Sequence, residues 1–234
     1  MSILYLITAR AGSKGLPNKN KKLLNGKPLI FYTMEFAIQN AKSNDVICVS
    51  TDDHEIVEII KKNYNFEVPF IRPSELSDDS ASIFDVITHA IKHYNQKSIN
   101  FEHILLLQPT SPLRIKDDFE NIYNIYKKTF ASMVVSVKLS KANPYFNLFE
   151  ENDDKLLVKI KPNTKFKNRQ ECPPVYLYNG SLYLVKTDQF LKKLNFDFDN
   201  IVKYEMPESR SIDIDTQSDW ILAEYYLNKF NENN

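Results

Sequence analysis

Two short segments, one near each end of the sequence, carry residue types that could do chemistry. Arg10-Ala-Gly-Ser-Lys-Gly-Leu-Pro-Asn-Lys-Asn20 gathers two glycines, a serine, an arginine and two lysines. Glycine permits positive φ and close backbone approach, so consecutive N–H groups can line an anion, while Arg10, Lys14 and Lys19 supply full charges. A polyphosphate needs that set of groups; a solvated basic turn is the alternative. Walker A and G-x-G-x-x-G patterns are both excluded, because Gly12 and Gly15 stand three apart with Ser-Lys between them. In Ser211-Ile-Asp-Ile-Asp-Thr216, strand alternation places Asp213 and Asp215 on one face and Ile212 and Ile214 on the other. Two carboxylates within reach of each other repel unless a cation lies between them, and oxygen ligands suit Mg²⁺. The plainer reading is an exposed strand edge leading into a helix, with Thr216 as N-cap and Asp219 at N3, and cap and metal site can adjoin.

Other candidates lie in between. Gln108-Pro-Thr-Ser-Pro-Leu-Arg114 follows an apolar run, and its prolines either end a strand or stiffen a loop from which Gln108, Thr110, Ser111 and Arg114 project. Arg72 and Arg169 are two of only five arginines in a lysine-rich chain. Arginine's planar fork matches carboxylate and phosphate, so Arg72 reads as a nucleotide-side contact and Arg169 as a contact for an acid or a triphosphate, each against a surface ion pair. Asn179-Gly180 is either a hairpin turn or a close approach to a ligand. Asp85, His89 and His93 share a helix face opposite the apolar one and read as a solvated stripe, and Cys48 as a small core residue.

These residues need a scaffold, and the hydrophobic pattern supplies one. Apolar runs at 3–8, 45–50, 68–71, 103–108 and 132–137 read as buried strands. Helical patterns at 28–41, 53–63, 82–94 and 116–128 alternate with them, Pro28 falling in a first turn. Such alternation predicts an α/β fold with a mainly parallel, doubly wound sheet, and ligands then bind beyond the carboxyl ends of the strands. From about residue 139 the rhythm changes: short strands at 143–149 and 155–160, a polar loop at 162–174, a strand at 175–185, a last strand at 201–206 and a closing helix at 218–229. Residues 139–174 read as an insertion within one domain spanning 1–234. Its aromatic residues Tyr145, Phe146, Phe149 and Phe166 exceed what a two-stranded ribbon can bury.

Thirty basic and thirty acidic residues give zero net charge, which removes an electrostatic claim on nucleic acid or an anionic membrane. With 43% hydrophobic residues the chain can bury a substantial core. Two cysteines make no disulfide framework or zinc pattern, and no apolar run reaches the roughly 18 residues of a membrane helix. A cytoplasmic protein is expected. An oxidoreductase would share the sheet, with Asp52 as its ribose-binding acid, but Asp52 lies about forty residues from Gly12, not about twenty.

Taken in order, Ala9-Arg-Ala-Gly-Ser-Lys-Gly-Leu-Pro-Asn-Lys-Asn20, Ser50-Thr-Asp52, Arg72-Pro-Ser-Glu-Leu76, the Gln108–Arg114 loop, Arg169-Gln170, Asn179-Gly-Ser-Leu-Tyr183 and Ser211–Thr216 resemble the acylneuraminate cytidylyltransferases (CMP-sialic acid synthetases) and their nonulosonic acid and Kdo relatives. The resemblance spans nearly the whole chain. It implies a Rossmann-like nucleotidyltransferase that moves CMP from CTP to the anomeric hydroxyl of a 2-keto-3-deoxy sugar acid and releases pyrophosphate. It further implies that Arg10, Ala11, Gly12, Ser13, Lys19, Asn20, Arg72 and Ser82 bind the nucleotide, with Lys19, Asp213 and Asp215 catalytic. Asp213 and Asp215 are the implied ligands of Mg²⁺ or Mn²⁺, and Gln108, Arg169, Asn179 and Tyr183 the implied contacts of the sugar acid. A homodimer formed through the insertion is implied as well. No residue is identified as a general base. Asn143-Pro-Tyr-Phe-Asn147 is similar to the legionaminic-type branch and the Gly15-Leu-Pro loop to the sialic branch, which leaves the acceptor sugar open; a non-catalytic nucleotide sensor is the remaining alternative.

Overall fold

The structure, a computed structural model, describes residues 2–12, 15–78, 80–162 and 165–232. In chain order the strands are β1 (Ile3–Thr8), β2 (Leu23–Leu24), β3 (Lys27–Pro28), β4 (Val46–Ser50), β5 (His103–Leu107), β6 (Met133–Leu139), β7 (Phe149–Glu151), β8 (Leu157–Lys159), β9 (Tyr176–Lys186) and β10 (Ile201–Glu205). The helices are α1 (Leu29–Asn40), α2 (His54–Tyr64), α3 (Ile83–Asn95), α4 (Lys116–Thr129), α5 (Thr187–Lys193) and α6 (Gln217–Glu232). Six strands form one sheet in the order β10-β6-β9-β5-β1-β4. Neighbours are parallel except β9, which runs antiparallel to both β5 and β6. This is the mainly parallel α/β architecture that the strand and helix alternation predicts.

Alternate residues of the continuous apolar strands serve two cores. Tyr5, Ile7, Leu105 and Leu107 pack with α1 and α4, whereas Leu4, Leu6, Ile104 and Leu106 pack with α3 and α5. At roughly 1.5–3 kcal/mol for each fully buried side chain, these two layers fix the strand register. A third cluster joins Leu16, Leu24, Leu113, Ile212, Ile214 and Trp220, which ties the basic loop, the proline loop and the acidic segment to α6.

Several expectations change. Pro28 is the N-cap of α1, one position before the helix, and residues 68–71 make only the single bridge Thr51–Ile71. Pro69 has no N–H to give a ladder. Residues 143–147 turn instead of extending: the Asn143 side chain accepts from Tyr145 N–H, and its carbonyl accepts from Phe146, Asn147 and Leu148. Helix α5, hidden behind the apolar end of β9, has no counterpart in the sequence reading. His89 and His93 are half-buried against the Phe70 ring at 4.6 and 4.8 Å, so they are not a solvated stripe. Residues 211–216 join no strand, and Ser211 at their start, with φ −106° and ψ 33°, is not extended. Among the described residues no helix is long and apolar enough to cross a membrane.

Candidate active site

A cleft of about 550 Å³ opens beyond the carboxyl ends of β1 and β5. Arg10, Gly15, Lys19 and Asn20 of the loop after β1 line it, together with Arg72, Gln108, Thr110, Asp213 and Asp215. Thus the basic loop and the acidic pair, nearly 200 residues apart in sequence, share one cavity.

The loop is seated by β4 and by the acidic segment. Ala11 N–H donates to Asp52 Oδ1 at 2.9 Å, and Asn20 Nδ2 closes the loop on the Arg10 carbonyl at 3.2 Å. The oxidoreductase-like Asp52 is therefore a loop support, while Asp53 caps α2 by accepting from Glu55 and Ile56 N–H. A methyl group on Gly15 would sit 2.1 Å from the Asp215 carbonyl oxygen, so only glycine lets loop and acidic segment touch. Lys19, buried to 8% exposure, donates to the Ile214 carbonyl at 2.6 Å and pairs with Asp215 Oδ1 at 3.0 Å. Arg10 reaches over the cleft to the Asp78 carbonyl at 3.3 Å. Arg72 donates to the Ser50 hydroxyl and carbonyl at the end of β4, and burial lowers its pKa to about 10, which leaves it cationic at neutral pH.

Asp213 is the electrostatic centre. Burial raises its pKa and the neighbouring Asp215 adds to that, opposed by a hydrogen bond with Thr110 and by the charges of Lys19 and Lys138. The isoleucine alternation holds without a ladder: Ile212 and Ile214 are buried, and Ile214 N–H donates to the Thr110 carbonyl at 2.8 Å. Gly180, at φ +71°, lies so close that a methyl group on it would be 2.7 Å from Asp213 Oδ2 and 2.9 Å from Gln108 Oε1. Burial, with the Asp213 charge, pushes the Tyr183 hydroxyl up to about 12, so it stays protonated as a donor. Thr216 and Asp219 exchange hydrogen bonds as a capping box at the start of α6, so cap and site do adjoin.

Not every expected residue reaches the cleft. Ser13 lies outside the described residues. Ser82 caps α3, its hydroxyl accepting from Phe84 N–H, while its neighbours Ala81 and Ile83 line the cleft. Arg169 is exposed and donates to the Ser140 carbonyl. Asn179 is 1% exposed and beneath the cleft wall, where its side chain meets Ser136 and Ser211. Ser111 and Arg114 do not project: Ser111 donates to the Asn179 carbonyl, and Arg114 donates inward to Gln108 and Ser181 carbonyls and to Thr33. A short side chain and a guanidinium at the end of a buried strand find backbone acceptors within reach before they find solvent.

Sequence reasoning missed Lys138 and the Asp118–Arg210 pair. Lys138 Nζ donates to the Ser211 carbonyl at 3.4 Å; its position at the carboxyl end of a parallel strand was the available signal. Asp118, fully buried, accepts from Arg210, from the Tyr204 hydroxyl and from Ile115 N–H, and so anchors the residue just before the acidic segment.

Fold and cleft place the chain among the α/β nucleotidyltransferases. Its residues 4–223 match the family described as Cytidylyltransferase. It is 34% identical over 227 residues to a CMP-N,N'-diacetyllegionaminic acid synthase of Legionella pneumophila, covering 96% of this chain and 95% of that protein. An N-acylneuraminate cytidylyltransferase of Streptococcus agalactiae is 30% identical across 94% of this chain, which spans 52% of that longer protein. The solved structure of a CMP:2-keto-3-deoxy-manno-octonic acid synthetase complexed with CTP superposes with a TM-score of 0.68 at 17% identity, covering 98% of this chain and 100% of that one. The chain belongs to the cytidylyltransferase family, in the branch that holds the nonulosonic acid enzymes.

Proposed function

We propose that the protein transfers CMP from CTP to the anomeric hydroxyl of a nonulosonic acid of the sialic or legionaminic type, releasing pyrophosphate. The observation that carries this reading is the meeting of Lys19, Arg10 and Asn20 with Asp213 and Asp215 around one cleft. The anomeric oxygen attacks the α-phosphorus, the bond from that phosphorus to the bridging oxygen breaks, and the hydroxyl proton leaves to solvent. Most of the catalysis is positioning and charge neutralisation.

The triphosphate lies along the basic loop, where Arg10 and Lys19 offset its charge. Gly15 and Asn20 line the cleft beside them. Arg72 and the start of α3 near Ser82 hold the nucleoside side. Lys19 is poised for exchange, since its partner Asp215 is exposed and its ammonium can turn to phosphate oxygens. Gln108 and Tyr183 face the acceptor from the opposite wall, with Gly180 admitting it close to Asp213. Two adjacent carboxylates, one of them buried at an energetic cost, form an all-oxygen donor set that fits Mg²⁺ or Mn²⁺. Held by Asp213 and Asp215, such an ion would neutralise phosphate charge and acidify the attacking hydroxyl.

The enzyme is proposed to work in the cytoplasm as one nucleotidyltransferase domain, paired as a homodimer through the arm at 139–174. In the dimer Arg169 would reach an acceptor carboxylate. Pyrophosphate release measured with CTP, ATP, GTP and UTP, crossed with sialic, legionaminic and pseudaminic acids and Kdo, tests the reading. Turnover is expected with CTP and a nonulosonic acid only. Calorimetric CTP binding without turnover on any acid would make the protein a nucleotide sensor instead.

A further inference from the structure

The ladder between β6 and β9 breaks beside the cleft. Val135 pairs with Tyr183 and Val137 with Tyr178, so residues 179–182 of β9 stand against Ser136 alone. The surplus backbone bulges, and Gly180 in its left-handed conformation is carried up to Asp213 and Gln108. A bulge inside a buried sheet strands backbone groups that the ladder would have paired. Side chains replace the ladder here. The Ser136 hydroxyl accepts from Leu182 N–H at 2.7 Å and donates to Asn179 Oδ1 at 2.6 Å. Asn179 Nδ2 donates to Ser211 Oγ at 2.9 Å and touches Met206 Sδ at 3.3 Å. Both ends of the amide are thus engaged, and at 1% exposure none of it is left for a ligand. Ser211 is fully buried, two residues before Asp213, in a segment with no ladder of its own. The Asn179–Ser211 bond is therefore a direct tie between the bulge that aims Gly180 and the segment that carries Asp213.

We propose that Asn179 is a positioning residue, fixing Asp213 against Gly180 and Gln108 through Ser211, and that it does not touch the acceptor. The proposal rests on the assignment of Asp213 to the reacting phosphates made above. It replaces the sugar contact that the family resemblance implies for Asn179. A carboxylate aligned by a buried amide keeps one orientation, and misplacing it by an ångström weakens what it stabilises in the transition state more than what it binds in the ground state.

The test is Ser211→Ala and Asn179→Ser, singly and combined. Ser211 is sealed from the cleft, so Ser211→Ala cuts the tie without removing any group a substrate could meet. Each variant is expected to lower kcat about 10-fold or more, the range for partners that orient a ligating side chain, with the KM for the sugar acid within about 2-fold of wild type. The double variant should be no worse than the stronger single one, because both remove the same bond. Calorimetry without sugar gives an independent readout: the Mg²⁺-dependent gain in CTP affinity should shrink in both variants while metal-free CTP affinity stays. A raised sugar KM in Asn179→Ser, with Ser211→Ala unaffected, would make Asn179 a sugar ligand and overturn the proposal, as would wild-type kcat in Ser211→Ala. If Asn179→Ser fails to fold, Ser211→Ala alone decides, since it removes a single oxygen. A wild-type protein with neither turnover nor a Mg²⁺-dependent gain would sink the assignment of Asp213; an active wild type with an unaffected Ser211→Ala sinks only the positioning role.

Discussion

The cleft and the arm at 139–174 solve opposite problems. Around the cleft, charged and amide side chains are buried and partnered: Lys19 on Asp215, Arg72 on Ser50, Asp118 on Arg210, Asn179 on Ser136 and Ser211. In the arm, apolar side chains are in solvent: Leu157 is 71% exposed, Leu156 62% and Phe149 45%, and among the described residues β7 and β8 pair only with each other. The arm's internal aromatic contact is Tyr145 on Phe166 at 6.0 Å. Buried charges are costly unless their geometry is complete within the chain, so the cleft is a finished object. Exposed aliphatic surface on a thin ribbon is unfinished, and a second copy of the arm is the covering that the family resemblance implies.

The contrast is sharpest in stability. Asp118→Ala strips a buried carboxylate from Arg210 and from the start of α4, and should destabilise the protein by about 3–5 kcal/mol in chemical denaturation. An effect under about 1 kcal/mol, the range of an exposed ion pair, would show that the cleft scaffold is not pre-paired as described.

Chemistry comes next in size. Asp215→Ala should leave the fold intact, because the carboxylate is exposed, yet cut CTP-dependent pyrophosphate release by about 10²–10³-fold, as when one preorganised charge-stabilising group is lost. Near wild-type release would remove Asp215 from the mechanism and leave Lys19 paired with a bystander.

For the arm the expectation reverses. Leu157→Ser or Phe149→Ser should leave the unfolding midpoint nearly unchanged and raise the dimer dissociation constant in sedimentation, at roughly 1.5–3 kcal/mol per large apolar side chain returned to water. A monomeric wild type at micromolar concentration would break the comparison at this end, since the arm would then be exposed in solution.

These regions also differ in how far the sequence discloses them. The strand at 3–8, the sites of α1 to α4 and the shared face of Asp213 and Asp215 were legible, because burial on one or two faces imposes a local period. Gly180 was legible as a special position, and its positive φ and tight contact with Asp213 explain why. Illegible were the antiparallel entry of β9, the burial of Asn179 against Ser136 and Ser211, and the Asp118–Arg210 pair. Each depends on partners far away in sequence, 92 residues in that last case, and a hydrogen bond across such a distance leaves no period behind. The arm misled in the other direction: Asn143, Pro144 and Asn147 favour a turn, and the apolar pattern around them suggested a strand whose neighbour is missing within the chain.

The smallest effect tests the rule that buried polar groups here are partnered, at a residue that departs from it with both of its polar atoms. His103 begins β5 at the sheet edge opposite the cleft, 4% exposed, with neither ring nitrogen hydrogen-bonded among the described residues and its ring against Tyr126 at 4.5 Å. Burial lowers its pKa from the ordinary value, with Lys186 acting in the same sense and Glu102 and Asp188 against. The unfolded chain therefore binds a proton more readily than the folded one, and stability must fall as pH drops through about 6.5, the unfolded value, toward the lowered folded value. His103→Phe keeps the ring and removes the titration, so its unfolding free energy should lose that part of the decline between neutral pH and pH 5 while kcat stays at wild type. An identical pH slope in the two proteins would mean that the imidazole is solvated or paired in solution, and that the amino edge of the sheet follows the same rule as the cleft.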